Sequence, residues 1–171
     1  MNKGYPRFVS DLHFGHASMA LHRGFSSVEE HDNHIIREWN KVVRSPKDLT
    51  YILGDITMEK SKDYHKLNLL NGRKIVVLGN HDRHQDIRLL LNYVENVAGM
   101  INYKGFFLTH CPIHESELLE KVRGNIHGHN HENRIDNPKY INVSCDLLKY
   151  QPKTIEELLE IQDKLFNIKW S

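Results

Sequence analysis

Five short apolar runs in this 171-residue chain each end at a side chain that can bind a metal ion. The runs are rich in β-branched and aromatic residues, which is typical of buried strands. Sites in open α/β sheets form in the crevice outside the carboxyl ends of the strands, so we expect the five ends to converge on one place. The junctions are FVS before Asp11, YILG before Asp55, IVVLG before Asn80, FFLT before His110 and NIHG before His129.

The segments between these runs have helical patterns. Ser27-Val28-Glu29-Glu30 and Thr154-Ile155-Glu156-Glu157 are capping-box sequences, and each precedes an apolar stripe at helical spacing. The second stripe consists of Ile155, Leu158, Leu159, Leu165 and Phe166. We expect shorter helices near 61–70, 85–92 and 115–122. This alternation of strands and helices predicts a layered α/β protein, and Lys104-Gly105 predicts a hairpin. The predicted strands cover 7–10, 50–54, 74–79, 100–103, 106–109, 124–128 and 140–144.

The composition limits the classes of protein to consider. A length of 171 residues predicts a single domain, residues 1–171, with a buried core. With 23 Lys+Arg against 22 Asp+Glu, the net charge of +1 gives no reason to expect an extended nucleic-acid track or a membrane surface. We find no signal peptide or membrane span, and two cysteines suit a reduced compartment, so we expect a cytoplasmic protein.

The side chains at the strand ends are of the types that hold borderline divalent ions. Aspartate, imidazole and an amide oxygen together suit Mn²⁺, Fe²⁺ or Zn²⁺. Asp11 and His13, two positions apart, can point to the same side of an extended segment and bind one ion. Gly54, Gly79 and Gly128 each precede such a residue, and we expect them to allow sharp turns there.

Taken in order, these motifs resemble those of the calcineurin-like metallophosphoesterases. The resemblance extends from Phe8 to about Ser144, and SDLHFGH, HCPIH and NVSCDLLKYQPKTIEEL are similar to small, uncapped phage and bacterial members. It implies a four-layer α/β/β/α sandwich of two mixed β-sheets flanked by helices. The shared motifs are Asp-x-His at 11–13, Gly-Asp at 54–55, Gly-Asn-His-Asp at 79–82, a lone histidine at 110 and Gly-His-x-His at 128–131.

The resemblance also implies two divalent metal ions. Manganese is the expected metal, with iron, zinc or nickel as alternatives. Two carboxylates among seven ligands would leave a net positive site, which attracts a phosphate ester for attack by a metal-activated hydroxide. The first ion would be held by Asp11, His13 and His131, and the second by Asn80, His110 and His129, with Asp55 bridging both.

Other polar residues near the motifs have expected roles in catalysis or substrate binding. His81 is the family's candidate proton donor to the leaving group. Two nearby cations would lower its pKa, and we expect Asp82 to offset this by holding a ring nitrogen. His16, Arg83 and Arg134 are candidate phosphate contacts.

Further positions have simpler expected roles. His127 matches no ligand of the pattern, and we expect it behind the ligands or buried. His31 and His34 share a helix with Asp32, which we interpret as a solvated polar face. We expect Cys111 to pack at a strand end.

The sequence predicts a metal-dependent phosphodiesterase for small phosphodiesters, with cyclic or modified nucleotides as candidates. A phosphomonoesterase and a non-catalytic binding module of the same fold are the alternatives. Protein phosphatases of the family have Gly-Asn-His-Glu and an arginine soon after Gly-Asp, whereas this chain has GNHD and GDITMEK. Nucleases of the double-strand-break repair type carry additional segments that 171 near-neutral residues do not accommodate.

Overall fold

The computed structural model describes residues 5–58, 61–82 and 86–170. Within these residues the chain forms two β-sheets, whose strands alternate with helices along the sequence. The strands are β1 (Arg7–Val9), β2 (Leu49–Leu53), β3 (Arg73–Val77), β4 (Asn96–Ala98), β5 (Ile101–Tyr103), β6 (Phe106–Leu108), β7 (Gly124–His127), β8 (Tyr140–Asn142) and β9 (Lys153–Thr154).

Both sheets are mixed. The first has the order β4-β3-β2-β1-β9, with β9 alone antiparallel, and the second has the order β5-β6-β7-β8, with β5 alone antiparallel. An isolated parallel bridge between Ser10 and Ser144 joins the ends of β1 and β8, so the sheets meet beside the expected ligands. The predicted hairpin is confirmed: Lys104 and Gly105 have φ angles of 50° and 84°, which fits a two-residue turn between β5 and β6.

Helices flank the sheets and complete the predicted four-layer α/β/β/α sandwich. The two long helices are amphipathic, and their apolar stripes pack on the core. None of the described helices combines the length and apolar character that a bilayer span requires. The α-helices are α1 (Ala17–His22), α2 (Val28–Val42), α3 (Ile87–Leu90), α4 (Cys145–Leu148) and α5 (Ile155–Phe166), and 3-10 helices cover Ser61–Leu69, Asn80–Asp82 and Glu115–Glu117.

Aromatic side chains connect the layers of the core. Phe8 of β1 stacks on Tyr51 of β2, with ring centroids 5.5 Å apart, and meets Tyr103 of the second sheet edge-on at 5.3 Å. Trp39 of α2 is fully buried, and its indole N–H donates to the carbonyl of Asn71. Such a core holds the carboxyl ends of the strands in fixed positions.

The helix ends follow the predicted capping with one difference. Thr154 and Glu157 form the complete capping box of α5. At α2, Ser27 accepts from the N–H of Glu30, but the Glu30 carboxylate accepts from Ser26 rather than from the backbone of Ser27. One capping box of the two is therefore reciprocal.

Several elements differ from the prediction. The stripe of α5 excludes Leu165, which is half exposed, and includes Gln162 instead, whose amide donates to the carbonyls of Pro138 and Tyr140. The helices expected near 61–70 and 115–122 are 3-10 helices, and the second covers only three residues. The sequence patterns did not predict α1, α4, β4 or β9, which are too short for a clear hydrophobic period.

Candidate metal centre

The five expected strand ends meet at one edge of the two sheets. Backbone hydrogen bonds run from Asp11 N–H to Gly54 O, from His13 N–H to Asp55 O and from Gly128 N–H to His110 O. In the segment after β1, Leu12 and Phe14 are fully buried in the core. The alternate residues, Asp11 and His13, can therefore both face the site.

The first ligand group consists of Asp11, His13 and His131, whose candidate ligand atoms lie within 4.8 Å of one another. His13 Nε2 is 3.9 Å from Asp11 Oδ1, and the rings of His13 and His131 stack with centroids 5.2 Å apart. Asp11 is 0% exposed and His13 is 1% exposed. This group is thus built largely from buried side chains.

The second expected ligand group consists of Asn80, His110 and His129. Asn80 Oδ1 lies 2.9 Å from His110 Nε2 and 2.9 Å from His129 Nδ1. His110 is buried, whereas Asn80 and His129 are exposed. Ligands that share one ion at about 2.1 Å lie roughly 3 Å apart when they meet at right angles, so these spacings suit coordination.

Asp55 lies between the two groups. Its Oδ2 atom is 3.7 Å from His13 Nε2 in the first group and 3.4 Å from His110 Nε2 in the second. Burial alone would raise the pKa of Asp55, but the hydrogen bond and charge of His110 lower it. A carboxylate kept ionised at this position is suited to bind cations on both sides.

His13 shows that the first group fits a metal ion. Both ring nitrogens are buried and have no hydrogen-bond partner among the described residues. Burial lowers the pKa of His13 to about 2, so the ring is neutral and keeps a lone pair. A buried polar atom without a partner is costly, and a cation bound to this nitrogen would remove that cost.

His110 is held differently, because both of its ring nitrogens have partners. Nδ1 donates to the carbonyl of Leu53 at 2.8 Å, which directs Nε2 toward Asn80 and Asp55. Burial alone would lower the pKa of His110, but the hydrogen bond and charge of Asp55 raise it to about 9. A proton on His110 therefore competes with a metal ion at the second group.

Five of the seven expected ligands have a left-handed backbone. Such conformations cost non-glycine residues about 1–3 kcal/mol each and persist only where the surrounding structure determines them. They concentrate at functional sites, so this feature supports the site independently of residue type. The φ angles are 59° at Asp11, 51° at His13, 54° at Asp55, 69° at His129 and 48° at His131.

The glycines beside the ligands have two different roles. Gly54 has a φ of +86°, which agrees with the expected sharp turn. Gly79 and Gly128 do not have positive φ, and a Cβ at either would collide with a side chain, that of Asp55 or of Ser10. These two glycines provide space for close packing rather than turn geometry.

Asp82 makes contacts other than the expected one. It is fully buried and accepts backbone N–H groups from Asp55 at 2.9 Å, Ile56 at 3.3 Å and Gly79 at 2.8 Å. Burial raises its pKa. The expected contact to a ring nitrogen of His81 is corrected to this support of the two ligand loops.

His81 and His16 both lie beside the first ligand group. The His81 backbone N–H donates to Asp55 Oδ1 at 3.0 Å, and its Nε2 is 3.9 Å from Asp55 Oδ2. The His81 ring centroid is 5.6 Å from that of His13, although its chain neighbour Asn80 belongs to the second group. The ring of His16 is also 5.6 Å from that of His13.

The remaining expected substrate contacts and His127 lie as follows. Arg134 is exposed in the loop between β7 and β8, and Arg83 lies outside the described residues. His127 is fully buried and its Nδ1 donates to the carbonyl of Gly128. Burial lowers the pKa of His127 to about 4, which agrees with the buried position expected for it.

Two expectations about exposure were wrong. His31 and Asp32 are buried, and they are hydrogen-bonded to each other at 2.8 Å. Asp32 also accepts a hydrogen bond from the N–H of Gly15 and forms an ion pair with Lys66. This face of the helix is therefore a buried polar network. Cys111 is exposed, and its sulfur lies within 4.8 Å of ligand atoms of His110 and His129.

Three residues that support the ligands were not predicted. Asp11 Oδ2 accepts hydroxyl hydrogen bonds from Ser10 at 2.6 Å and Ser144 at 2.8 Å. His131 Nδ1 lies 3.1 Å from Asp146 Oδ2. Ser144 and Asp146 fall in the stretch NVSCD, which resembles the family, but no spacing within that stretch indicates their contacts.

Comparisons with known proteins point to the same family that the sequence motifs resemble. Residues 7–168 match the calcineurin-like phosphoesterase family, whose members are metal-dependent. An uncharacterised protein of Methanocaldococcus jannaschii is 36% identical over 168 residues, covering 91% of this chain and 90% of that protein. The gene 66 protein of Mycobacterium phage D29 is 32% identical over 174 residues, covering 81% of this chain and 86% of the phage protein.

A solved structure has the same fold. The crystal structure of a protein of unknown function from Aquifex aeolicus superimposes with a TM-score of 0.72 at 28% identity. The match covers 93% of this chain and all of the Aquifex chain. The converging strand ends, the ligand chemistry and these matches lead to one conclusion: the chain belongs to the calcineurin-like phosphoesterase family.

Proposed function

We propose that this protein hydrolyses small phosphodiesters at a centre of two divalent ions, with manganese as the working metal. The position of Asp55 is the observation that carries the proposal. One carboxylate oxygen lies within 4 Å of imidazole nitrogens from both ligand groups, at 3.7 Å and 3.4 Å. A carboxylate so placed suits a bridge between two ions.

The metal ions and the side chains around them have separate roles in the proposed reaction. When bound, the two ions polarise the phosphoryl oxygens and lower the pKa of the water that attacks phosphorus. His81, with 28% of its side chain exposed beside Asp55, donates a proton to the leaving oxygen. Asp82 keeps the Asp55 and Gly79 loops at fixed separation, which positions the bridging carboxylate.

The exposed second group supports a small substrate that approaches from solvent. Asn80 and His129 are both exposed, so a phosphate ester reaches this group without opening the fold. GNHD and the absence of an arginine in GDITMEK differ from the protein phosphatases of the family and count against a phosphoprotein substrate. A compact diester, such as a cyclic or modified nucleotide, suits these features.

A paired assay tests the proposal. Metal-stripped protein is given bis(p-nitrophenyl) phosphate or p-nitrophenyl phosphate, with and without Mn²⁺, and Asp55→Asn is the control. We expect Mn²⁺-dependent cleavage of the diester that the variant loses. A preference for the monoester would indicate a phosphomonoesterase instead. No turnover of either ester with any divalent ion would favour a non-catalytic binding module of the same fold.

A further inference from the structure

We infer that Arg23 and Asp146 are positioning residues that set the affinity of the first ion by fixing the ring of His131 and the backbone of Asp11. This inference rests on the proposed two-ion centre. We call the two residues the Arg23–Asp146 clamp. They lie outside the ligand motifs, in the segment after α1 and in α4.

The clamp is a buried, bidentate ion pair. Arg23 Nε donates to Asp146 Oδ1 at 2.8 Å, and Arg23 Nη2 donates to Asp146 Oδ2 at 2.9 Å. The two side chains are 2% and 6% exposed, and the ring of Tyr150 covers the guanidinium at 5.6 Å. Fork-shaped pairing of this kind fixes orientation as well as charge.

The carboxylate of the clamp determines which nitrogen of His131 is available to a metal. Asp146 Oδ2 lies 3.1 Å from His131 Nδ1. A carboxylate only accepts hydrogen bonds, so Nδ1 carries the hydrogen and Nε2 keeps the lone pair. Hydrogen bonds from metal-binding histidines to carboxylates fix the tautomer and ring orientation in this way and raise the basicity of the ligand.

The guanidinium of the clamp holds another ligand of the same ion. Arg23 Nη2 also donates to the carbonyl of Asp11 at 2.8 Å, and Nη1 donates to the carbonyl of Leu12 at 3.3 Å. Asp11 has a left-handed backbone, which needs such external support. One arginine thereby connects two ligands of the first group, while His110 of the second group is held by Leu53 and Asp55.

The network continues on the side of α2 and fixes the far end of the same segment. Arg23 Nη1 lies 3.0 Å from His31 Nε2, and His31 Nδ1 is 2.8 Å from Asp32 Oδ1. Asp32 accepts the N–H of Gly15 at 3.1 Å. The segment from Asp11 to Gly15 is therefore held at both ends, which explains the burial of a helix face that reads as polar.

The test measures each ion separately. Asn80→Ala removes a ligand of the second group and isolates the first ion, and His13→Ala isolates the second. Asp146→Asn is added to each background, and Mn²⁺ binding to the metal-stripped proteins is measured by equilibrium dialysis. Asp136→Asn, at an exposed position in the β7–β8 loop, is the matched control.

Asparagine at 146 keeps the shape of the side chain but offers an N–H that stabilises the wrong tautomer of His131. We expect Asp146→Asn to weaken Mn²⁺ binding at the first position about 10- to 100-fold. We expect it to change the Mn²⁺ affinity of the second position by less than twofold. Asp136→Asn should leave the affinities of both positions unchanged. Equal weakening of both ions, or no weakening of the first, would overturn the inference.

Two further measurements keep the test decisive. Circular dichroism verifies folding, and if Asp146→Asn does not fold, Arg23→Lys repeats the test, because lysine keeps the charge but lacks the fork. Arg23→Lys is expected to weaken the first ion selectively, and equal effects on both ions would again contradict the clamp. Wild-type protein that binds fewer than two Mn²⁺ ions would instead refute the two-ion centre on which the inference rests.

Discussion

The two candidate ligand groups of the proposed two-ion centre contrast in how many hydrogen-bond partners their histidine rings have. In the first, His13 is buried and neither ring nitrogen has a partner among the described residues. In the second, His110 and His129 share the oxygen of Asn80, and His110 also contacts Asp55. Asp11 and His13 of the first group are buried, whereas Asn80 and His129 of the second group are exposed.

This contrast indicates that the two positions differ in what a metal ion must displace. An ion at the first position gives His13 its missing partner and breaks no hydrogen bond of that ring. An ion at the second position must replace existing hydrogen bonds and remove a proton from His110, whose pKa is about 9. We therefore expect the first ion to bind more tightly and the second to exchange more readily.

Removing the bridge tests whether the two positions work together. Asp55→Asn takes away the charged oxygen that lies near both groups, so we expect hydrolysis to fall by about 1,000-fold and Mn²⁺ content to drop. Steady-state rates and metal analysis measure both. A variant with normal activity would show that the two groups do not act through Asp55.

His81 tests whether proton donation is separable from metal binding. We expect His81→Ala to keep both ions and to slow turnover by about 100-fold, most for substrates with poor leaving groups. Rates for a series of phenyl esters, with metal analysis of the same samples, measure this. If the variant also loses metal, the assignment of His81 as the proton donor is wrong, and His81 is a metal ligand instead.

The pH dependence of metal binding sharpens the contrast between His110 and His13. Below about pH 9, the folded, metal-free protein carries a proton on His110, and a second ion must displace it. The affinity of the second position for Mn²⁺ therefore falls about tenfold for each unit that the pH falls below 9. The pKa of His13 is about 2, so His13 adds no such dependence at the first position, where His131, with a pKa raised by Asp146, is the titrating histidine.

Mn²⁺ titrations of His13→Ala between pH 7 and 9 measure the affinity of the second position alone.

The proton on His110 also affects the stability of the folded, metal-free protein. Because the pKa of His110 rises from 6.5 to about 9 on folding, its stabilising contribution is present below pH 6.5 and is lost as pH rises to 9. In the metal titration, an affinity for the second ion that does not change between pH 7 and 9 would contradict the expected difference between His110 and His13.

Stability without metal gives the smallest expected effect. In metal-stripped protein, His13→Leu removes a buried ring without partners and should raise the free energy of unfolding by about 1 kcal/mol. Asn80→Ala removes the acceptor that His110 and His129 share and should lower it by about 1 kcal/mol. Urea unfolding measures both, and changes of the same sign would remove the contrast.

Local patterns in the chain predicted the strands and their candidate ligands, and the family resemblance implied the sandwich of two sheets. The apolar runs that became β1, β2, β3, β6 and β7 are read from residue type alone, because buried parallel strands are nearly continuous hydrophobic segments. The ligands follow directly after these runs, so the carboxyl-edge rule predicted that Asp11, Asp55 and His129 would meet. Lys104-Gly105 predicted its hairpin for the same reason, since turn geometry depends on adjacent residues.

Contacts between distant residues were not predictable in this way. Asp146 reaches Arg23 across 123 positions, and Ser144 reaches Asp11 across 133. Asp82 was assigned to its sequence neighbour His81, but the folded chain directs it to backbone groups of Asp55 and Ile56. In each case a short polar side chain has several feasible partners, and only the packed structure selects one.

The sequence by itself determined most of the strands, the side chains that end them and the family that those motifs resemble, because each depends on neighbouring residues. It did not determine β4 and β9, which are too short for a clear pattern. Only the tertiary structure decided the left-handed backbone at His13 and His131, the burial of His31 and the support of His131 by Asp146. Strained backbone and buried polar side chains are unfavourable in isolation. They persist because contacts from distant segments outweigh their cost, and those contacts exist only after the sheets have assembled.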